Sequence, residues 1–173
     1  MDSIIIDKQN RGLIYRLCEF SLGQKWKLQY RATRDGFSSK DFHSNCDGIE
    51  NTLTIIKTTN EEIFGGFVEK AWDSESGYLE DPNAYIFSLV NKGDKPFKAV
   101  ANDGTHAIYC GSDYGPVFGN GSEICIASNS NVDQRSRSYF GSAYLKESQS
   151  SNSILAGAYH FQTVEIEVFA ATS

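Results

Sequence analysis

Trp26-Lys27-Leu28-Gln29-Tyr30-Arg31 alternates large apolar with polar side chains, one for one. Side chains of an extended chain point to opposite faces in turn, so this spacing predicts a half-buried strand with Trp26, Leu28 and Tyr30 on the covered face. The chain then changes character. Arg34-Asp35-Gly36 carries turn chemistry, in which Arg and Asp tie down backbone and Gly adopts positive φ. Ser38 follows as the cap of a helix, with Asp41 at its third position in a box-like arrangement, Phe37 placed to staple onto Phe42, and Gly48 ending it near Asp47. Upstream, Asp7 precedes the one-face set Leu13, Ile14, Leu17 and Cys18, which predicts a helix over residues 8 to 20 with Gly23 as its exit.

Downstream the pattern is strand. Leu53 to Ile56 and Tyr85 to Val90 are apolar on both faces, as expected of central strands covered on both sides. Further strands are predicted at 63–69, 97–100, 105–110, 123–128 and 161–169. Thr59 to Glu62 and Asn91 to Lys95 have hairpin chemistry, so neighbouring strands are expected to run antiparallel. Gly65-Gly66, inside a strand pattern, predicts a bulge or the close approach of another backbone. Residues 129 to 153 are rich in Ser, Asn and Gln and read as a long surface excursion. Eight strands with two short helices predict a mainly β fold, a two-layer antiparallel β-sandwich flanked by helices. The organisation expected is a single domain over 1–173, with an N-terminal helical segment at 1–25 and the sandwich body at 26–169.

Of 173 residues, 40% are hydrophobic and 22% charged, enough apolar surface for one core without staples. Sixteen basic against 22 acidic residues give a net charge of −6, which opposes binding to nucleic acid or to anionic lipid. No apolar run approaches the roughly 20 residues that cross a bilayer, and the first residues lack a signal-peptide pattern, so a cytoplasmic chain without direct membrane insertion is expected.

The sites of interest each have a plain alternative. Glu165 and Glu167 at strand spacing share a face with backbones roughly 7 Å apart, which resembles an inverting glycosidase pair; the plain reading is a solvated strand face beside buried Val164, Ile166 and Val168. Arg34 and Asp35 read as turn structure or as a polar contact surface. Cys18, Cys46, Cys110 and Cys125 form no C-x-x-C pair and read as reduced structural thiols, with Cys46, near a helix end, the best candidate for a redox-sensitive one. His43 and Cys46 make an H-x-x-C step, but His106 and His160 fall in separate predicted strands, so no metal and no cofactor is expected. Asn102-Asp103-Gly104 and the loop at Asp113 lack EF-hand spacing and read as turns. Asn120-Gly121-Ser122 is a sequon by chance. Nucleophilic catalysis lacks a G-x-S-x-G elbow, and no catalytic residue is assigned.

Trp26 to Ser38 resembles the opening signature of TLDc domains, and further blocks follow in the family's order. These are Thr52 to Thr59, Phe64-Gly65-Gly66-Phe67, Asp81 to Leu89, Ala107 to Cys110, Tyr114 to Gly119, Leu155 to Phe161 and Glu165 to Phe169. The resemblance spans nearly the whole chain and is closest to short forms from unicellular eukaryotes. It implies a non-catalytic sandwich that acts in oxidation resistance by binding and regulating the V-ATPase, the vacuolar proton pump. Peripheral subunits of the pump are the implied partners, and recruitment to vacuolar or endolysosomal membranes would come through them. Arg34, Asp35, Glu165 and Glu167 are the residues assigned to partner binding. Relatives often end the last strand in Trp where this chain has Phe169, which leaves the partner open. The alternatives are an enzyme of unknown, hydrolytic chemistry using Glu165 and Glu167, and a carbohydrate or small-ligand binding sandwich.

Overall fold

The structure is a computed structural model that describes residues 1–172 except 22, 94, 122 and 147–150. Two six-stranded antiparallel sheets face each other. With strands numbered along the chain, the first sheet runs β1 (Lys25–Arg31), β12 (Thr163–Thr172), β2 (Thr52–Thr58), β3 (Ile63–Val68), β5 (Tyr85–Val90), β6 (Phe97–Val100). The second runs β11 (His160–Phe161), β10 (Ser136–Arg137), β9 (Ile124–Ala127), β8 (Tyr114–Phe118), β7 (Ile108–Cys110), β4 (Gly77–Leu79). The helices are α1 (Lys8–Leu17), α2 (Ala32–Asp35) and α3 (Ser39–Cys46).

The caps are those the sequence predicts. Asp7 Oδ1 accepts from Asn10 N at 2.8 Å, and Ser38 with Asp41 forms a reciprocal capping box at the start of α3. Helix α1 stops three residues short of the predicted end, capped by Cys18. Residue 22 and the Asp94 position of the β5–β6 turn lie outside the described residues, as does Ser122 of the sequon.

Two cores hold the layers. Between the sheets lie Phe42, Ile56, Phe64, Trp72, Phe118 and Val168, each buried. On the opposite face of the first sheet, Ile5, Ile6 and Ile14 cover Trp26, Leu53 and Phe169. Each such burial contributes on the order of 1.5–3 kcal/mol before entropy. This double coverage is why β2 carries apolar side chains on both faces, Leu53 and Ile55 on one and Ile56 on the other. Gly65 and Gly66 serve close approach: a Cβ on Gly65 would overlap the Thr54 carbonyl, and one on Gly66 would overlap the Phe118 ring.

Four expectations need correction. The alternation of Trp26, Leu28 and Tyr30 does not hold, because Leu28 pairs with Phe169 and Tyr30 with the next residue, Val168. The bulge at Gln29 moves Tyr30 across the sheet into the inter-sheet core, while Trp26 and Leu28 stay beneath α1. The 129–153 stretch is not a surface excursion: it supplies β10 and buries Phe140 and Tyr144, with 147–150 outside the described residues. The strand predicted from Thr105 starts at Ile108, because Asp103 Oδ1 accepts from Thr105 N and Oγ1 and makes a turn there, so that His106 falls in a loop. Finally, β4, β8, β10 and the one-turn helix α2 fall outside the predicted elements: β4, β10 and α2 are very short, and β8 carries Gly115-Pro116, which reads as a turn.

Candidate functional site

Two of the four charged candidates, Glu165 and Glu167, lie on β12, and the fold locks them away. Glu167 is fully buried and Glu165 is 4% exposed, whereas Val164, expected inside, is 40% exposed. The predicted solvated face is therefore a covered one, overlaid by the N-terminal segment and α2. Glu167 accepts from Ser3 Oγ at 2.5 Å, from Ile4 N at 3.0 Å and from Arg31 Nε at 2.9 Å, with Arg31 Nη2 at 2.7 Å. Glu165 accepts from Thr33 N at 3.1 Å, from the Thr33 hydroxyl and from Ile166 N at 3.0 Å. Carboxylates saturated this way are neither free general acids nor a partner-facing edge; they staple β12 to β1, α2 and the N-terminus.

Asp81 and Glu123, both fully buried, are staples of the same kind. Asp81 accepts from the backbone N–H groups of Glu69, Lys70 and Asn83. Glu123 accepts from Asn120 N, Ser142 N and Ala143 N, which ties the 129–153 stretch to the sandwich.

Arg34 and Asp35 lie not in a turn but on the one-turn helix α2, where they tie down the neighbouring backbone. Arg34 Nε and Nη2 each donate to Asp35 at 2.7 Å, Arg34 Nη2 also reaches Gln29 O, and Asp35 takes Arg31 N at 2.9 Å. The Arg34 hydrogen bond holds the Asp35 carboxyl below the usual carboxylate range. Gly36 follows with φ of 110°, where a Cβ would overlap Asp41. Arg34 itself is exposed.

Cys46, the redox candidate, is wholly buried, and burial pushes its thiol well above the ordinary value. Burial likewise raises Cys18 to about 12 and Cys110 and Cys125 to about 11. Thiols in this state are poor nucleophiles at neutral pH, so the helix-end position of Cys46 does not make it reactive.

Ser74, His43 and Asp47 do meet in space, but in the wrong order for nucleophilic chemistry. The Ser74 hydroxyl donates to Asp47 Oδ2 at 2.6 Å, not to the ring. His43 Nδ1 faces Asp47 Oδ1 at 2.7 Å, and Nε2 faces the carbonyls of Tyr114 at 3.0 Å and Gly111 at 3.2 Å. The cluster clamps α3 onto the β7–β8 turn. Among the described residues, no group of three His, Cys, Asp or Glu side chains is arranged to hold a metal.

What remains is the outer face of the second sheet. Here a row of side chains crosses every strand: His160 opposite Arg137, Arg137 opposite Cys125, Cys125 opposite Val117, then Tyr109 opposite Tyr78. Tyr78 and Tyr109 meet edge to face at 5.0 Å, Tyr109 and Tyr114 at 6.4 Å, and the Arg137 guanidinium lies 5.6 Å over the Tyr114 ring. Together they line a depression of about 230 Å³ floored by Val117 and Cys125. Gly111 lets the Tyr109 ring lie against the backbone, since a Cβ there would overlap it. Tyr139 and Tyr159 add exposed aromatic surface, 50% and 46% exposed.

Of these residues the sequence points only to Cys125, as a structural thiol, and to His160, as a histidine without partner ligands; Tyr78, Tyr109, Tyr114 and Arg137 carry no site signal of their own. Ile108-Tyr109-Cys110 and Ser136-Arg137-Ser138 do alternate, which is the available signal, but Arg137 lay in the stretch read as a loop.

The family model of the TLDc domain matches residues 1–172. Over 53 residues the chain is 42% identical to TBC1 domain family member 24 of Xenopus tropicalis, and over 53 residues 40% identical to its namesake in Xenopus laevis. Each match takes in 31% of this chain and 9% of the relative's length, so the shared region is a small part of those proteins.

Proposed function

The chain belongs to the TLDc family, and from that membership we propose that it is a non-catalytic interaction module, acting in resistance to oxidative stress by docking on a peripheral subunit of the V-ATPase and regulating the pump. The observation that carries this reading is the division of the molecule into a sealed and an open side. Its strongest chemical groups, the glutamates of β12 and the four thiols, are all buried, and the glutamates are used up in holding the fold. Its open side, the outer face of the second sheet, is rich in tyrosine and arginine, the residues that dominate protein-interface energetics.

Oxidant protection by this chain is accordingly indirect, through the partner. Arg34, exposed on α2 beside the first sheet, is a second and separate contact candidate. No helix among the described residues is long and apolar enough to cross a membrane. A cytoplasmic chain drawn to vacuolar or endolysosomal membranes by its partner fits that observation.

The test is affinity capture from native lysate with the immobilised chain, beside an established TLDc protein as control. Recovery of pump peripheral subunits by both is the expected result. Recovery by the control alone would defeat the proposal.

A further inference from the structure

The depression between Tyr78, Tyr109, Tyr114 and Arg137 is built to receive one particular group. Arg137 comes from β10 and spends its Nε on the Gly121 carbonyl at 3.0 Å. Among the described residues it makes no ion pair, and its terminal nitrogens make no hydrogen bond. Its neighbour Arg135, by contrast, is neutralised by Asp133 at 2.5 Å. Among the described residues, the hydroxyls of Tyr78, Tyr109 and Tyr114 also have no partner, although all three rings are fixed by packing on each other. A half-buried cation held by one nitrogen, stacked on an aromatic face and left with a free fork, is preorganised for an oxyanion.

We propose that this depression binds a single carboxylate carried by an acidic side chain of a protein partner. The terminal nitrogens of Arg137 take the two oxygens, the tyrosine rings wall the aliphatic stem, and their hydroxyls donate to the lone pairs left over. The inference rests on the outer face of the second sheet being the docking side.

Charge and size select this occupant. A single unpaired guanidinium balances one negative charge, and the net charge of −6 repels polyanions such as nucleic acid or an anionic membrane. A volume of about 230 Å³ is below the roughly 300–1,000 Å³ of small-molecule sites. One side chain of a larger partner matches it better than a free metabolite or a sugar.

The experiment is an NMR titration of the folded chain with an end-capped peptide of glycines and serines carrying a single glutamate, against the same peptide with a single glutamine. The glutamate peptide shifts the ring signals of Tyr78, Tyr109 and Tyr114 and binds at least roughly tenfold more tightly than its glutamine counterpart. Arg137→Gln abolishes that difference, and Arg137→Lys, which keeps the charge but not the fork, restores only part of it. Equal binding of the two peptides, or an unchanged preference in Arg137→Gln, overturns the proposal. So does tighter Arg137-dependent binding of phosphatidylserine vesicles or of a neutral oligosaccharide than of the glutamate peptide. The two readings fail separately. Capture of pump subunits equally by wild type and Arg137→Gln removes the carboxylate site and leaves the pump; Arg137-dependent peptide binding without capture does the reverse.

Discussion

Arg31 Nη2 lies 2.7 Å from Glu167 Oε1, across the β1–β12 pair, and the contact exists because of the bulge at Gln29. In a regular strand, with Gln29 paired, Arg31 would point to the other face of the sheet, and Glu167 would be a buried charge with no cation. Breaking a buried pair by removing one member leaves the other uncompensated. Glu167→Gln is therefore expected to destabilise the chain by about 2–4 kcal/mol in urea unfolding, with an unchanged m-value. A loss within experimental error would mean that the pair is not a staple.

Gly66 faces the Phe118 ring across the inter-sheet core. Gly66→Ala forces the sheets apart or the ring out of its rotamer, at a cost of about 1–3 kcal/mol. Phe118→Leu should recover part of that loss in the double variant, and additive losses in a double-mutant cycle would contradict the contact.

Glu123 is the anchor of residues 140 to 146 through the N–H groups of Ser142 and Ala143. Glu123→Ala removes the oxygen that both of those donors share. Limited proteolysis should then cut between 140 and 146 well before the rest of the domain opens, whereas wild type and variant cleaving alike would show that this stretch is held by other means.

The thiols give the expected pH dependence. In the folded chain Cys110 titrates at about 11 against an ordinary value of 9.0, chiefly through burial, so at neutral pH its thiolate fraction is roughly 100-fold below that of a free cysteine. Native labelling with a thiol reagent at pH 7.5 should be slower by at least that factor than after denaturation. The linkage has a definite sign. The folded state holds these protons more tightly than the unfolded one, so their contribution is complete below about pH 9 and is lost as pH rises through about 11 to 12. Urea midpoints should be flat in this respect below pH 9 and fall above it; a midpoint that rises there contradicts the burial of the thiols.

Much of this fold could be read from local signals. The Asp7 and Ser38 caps, the β2–β3 hairpin, the double-sided burial of β2 and the antiparallel pairing all follow from residues a few positions apart. What could not be read depends on distant partners. The Gln29 bulge is set by the register against Val168 and Phe169, and no residue near it announces the shift. Glu165 and Glu167 look solvated because charge is normally outside; their burial is made possible by Ser3, Thr33 and Arg31, which come from separate parts of the chain. The Tyr78 and Arg137 row assembles from six strands, two of them only two residues long, and a two-residue strand has no periodicity to detect.

The most direct test places a photoreactive phenylalanine analogue either at Tyr78, on the open face of the second sheet, or at Lys8, on α1 over the opposite layer, and maps the adducts formed in native lysate. Crosslinks to a pump peripheral subunit from position 78 and none from position 8 are the predicted outcome. Adducts to that subunit from position 8 alone would put the docking side on the sealed layer and contradict docking through the second sheet.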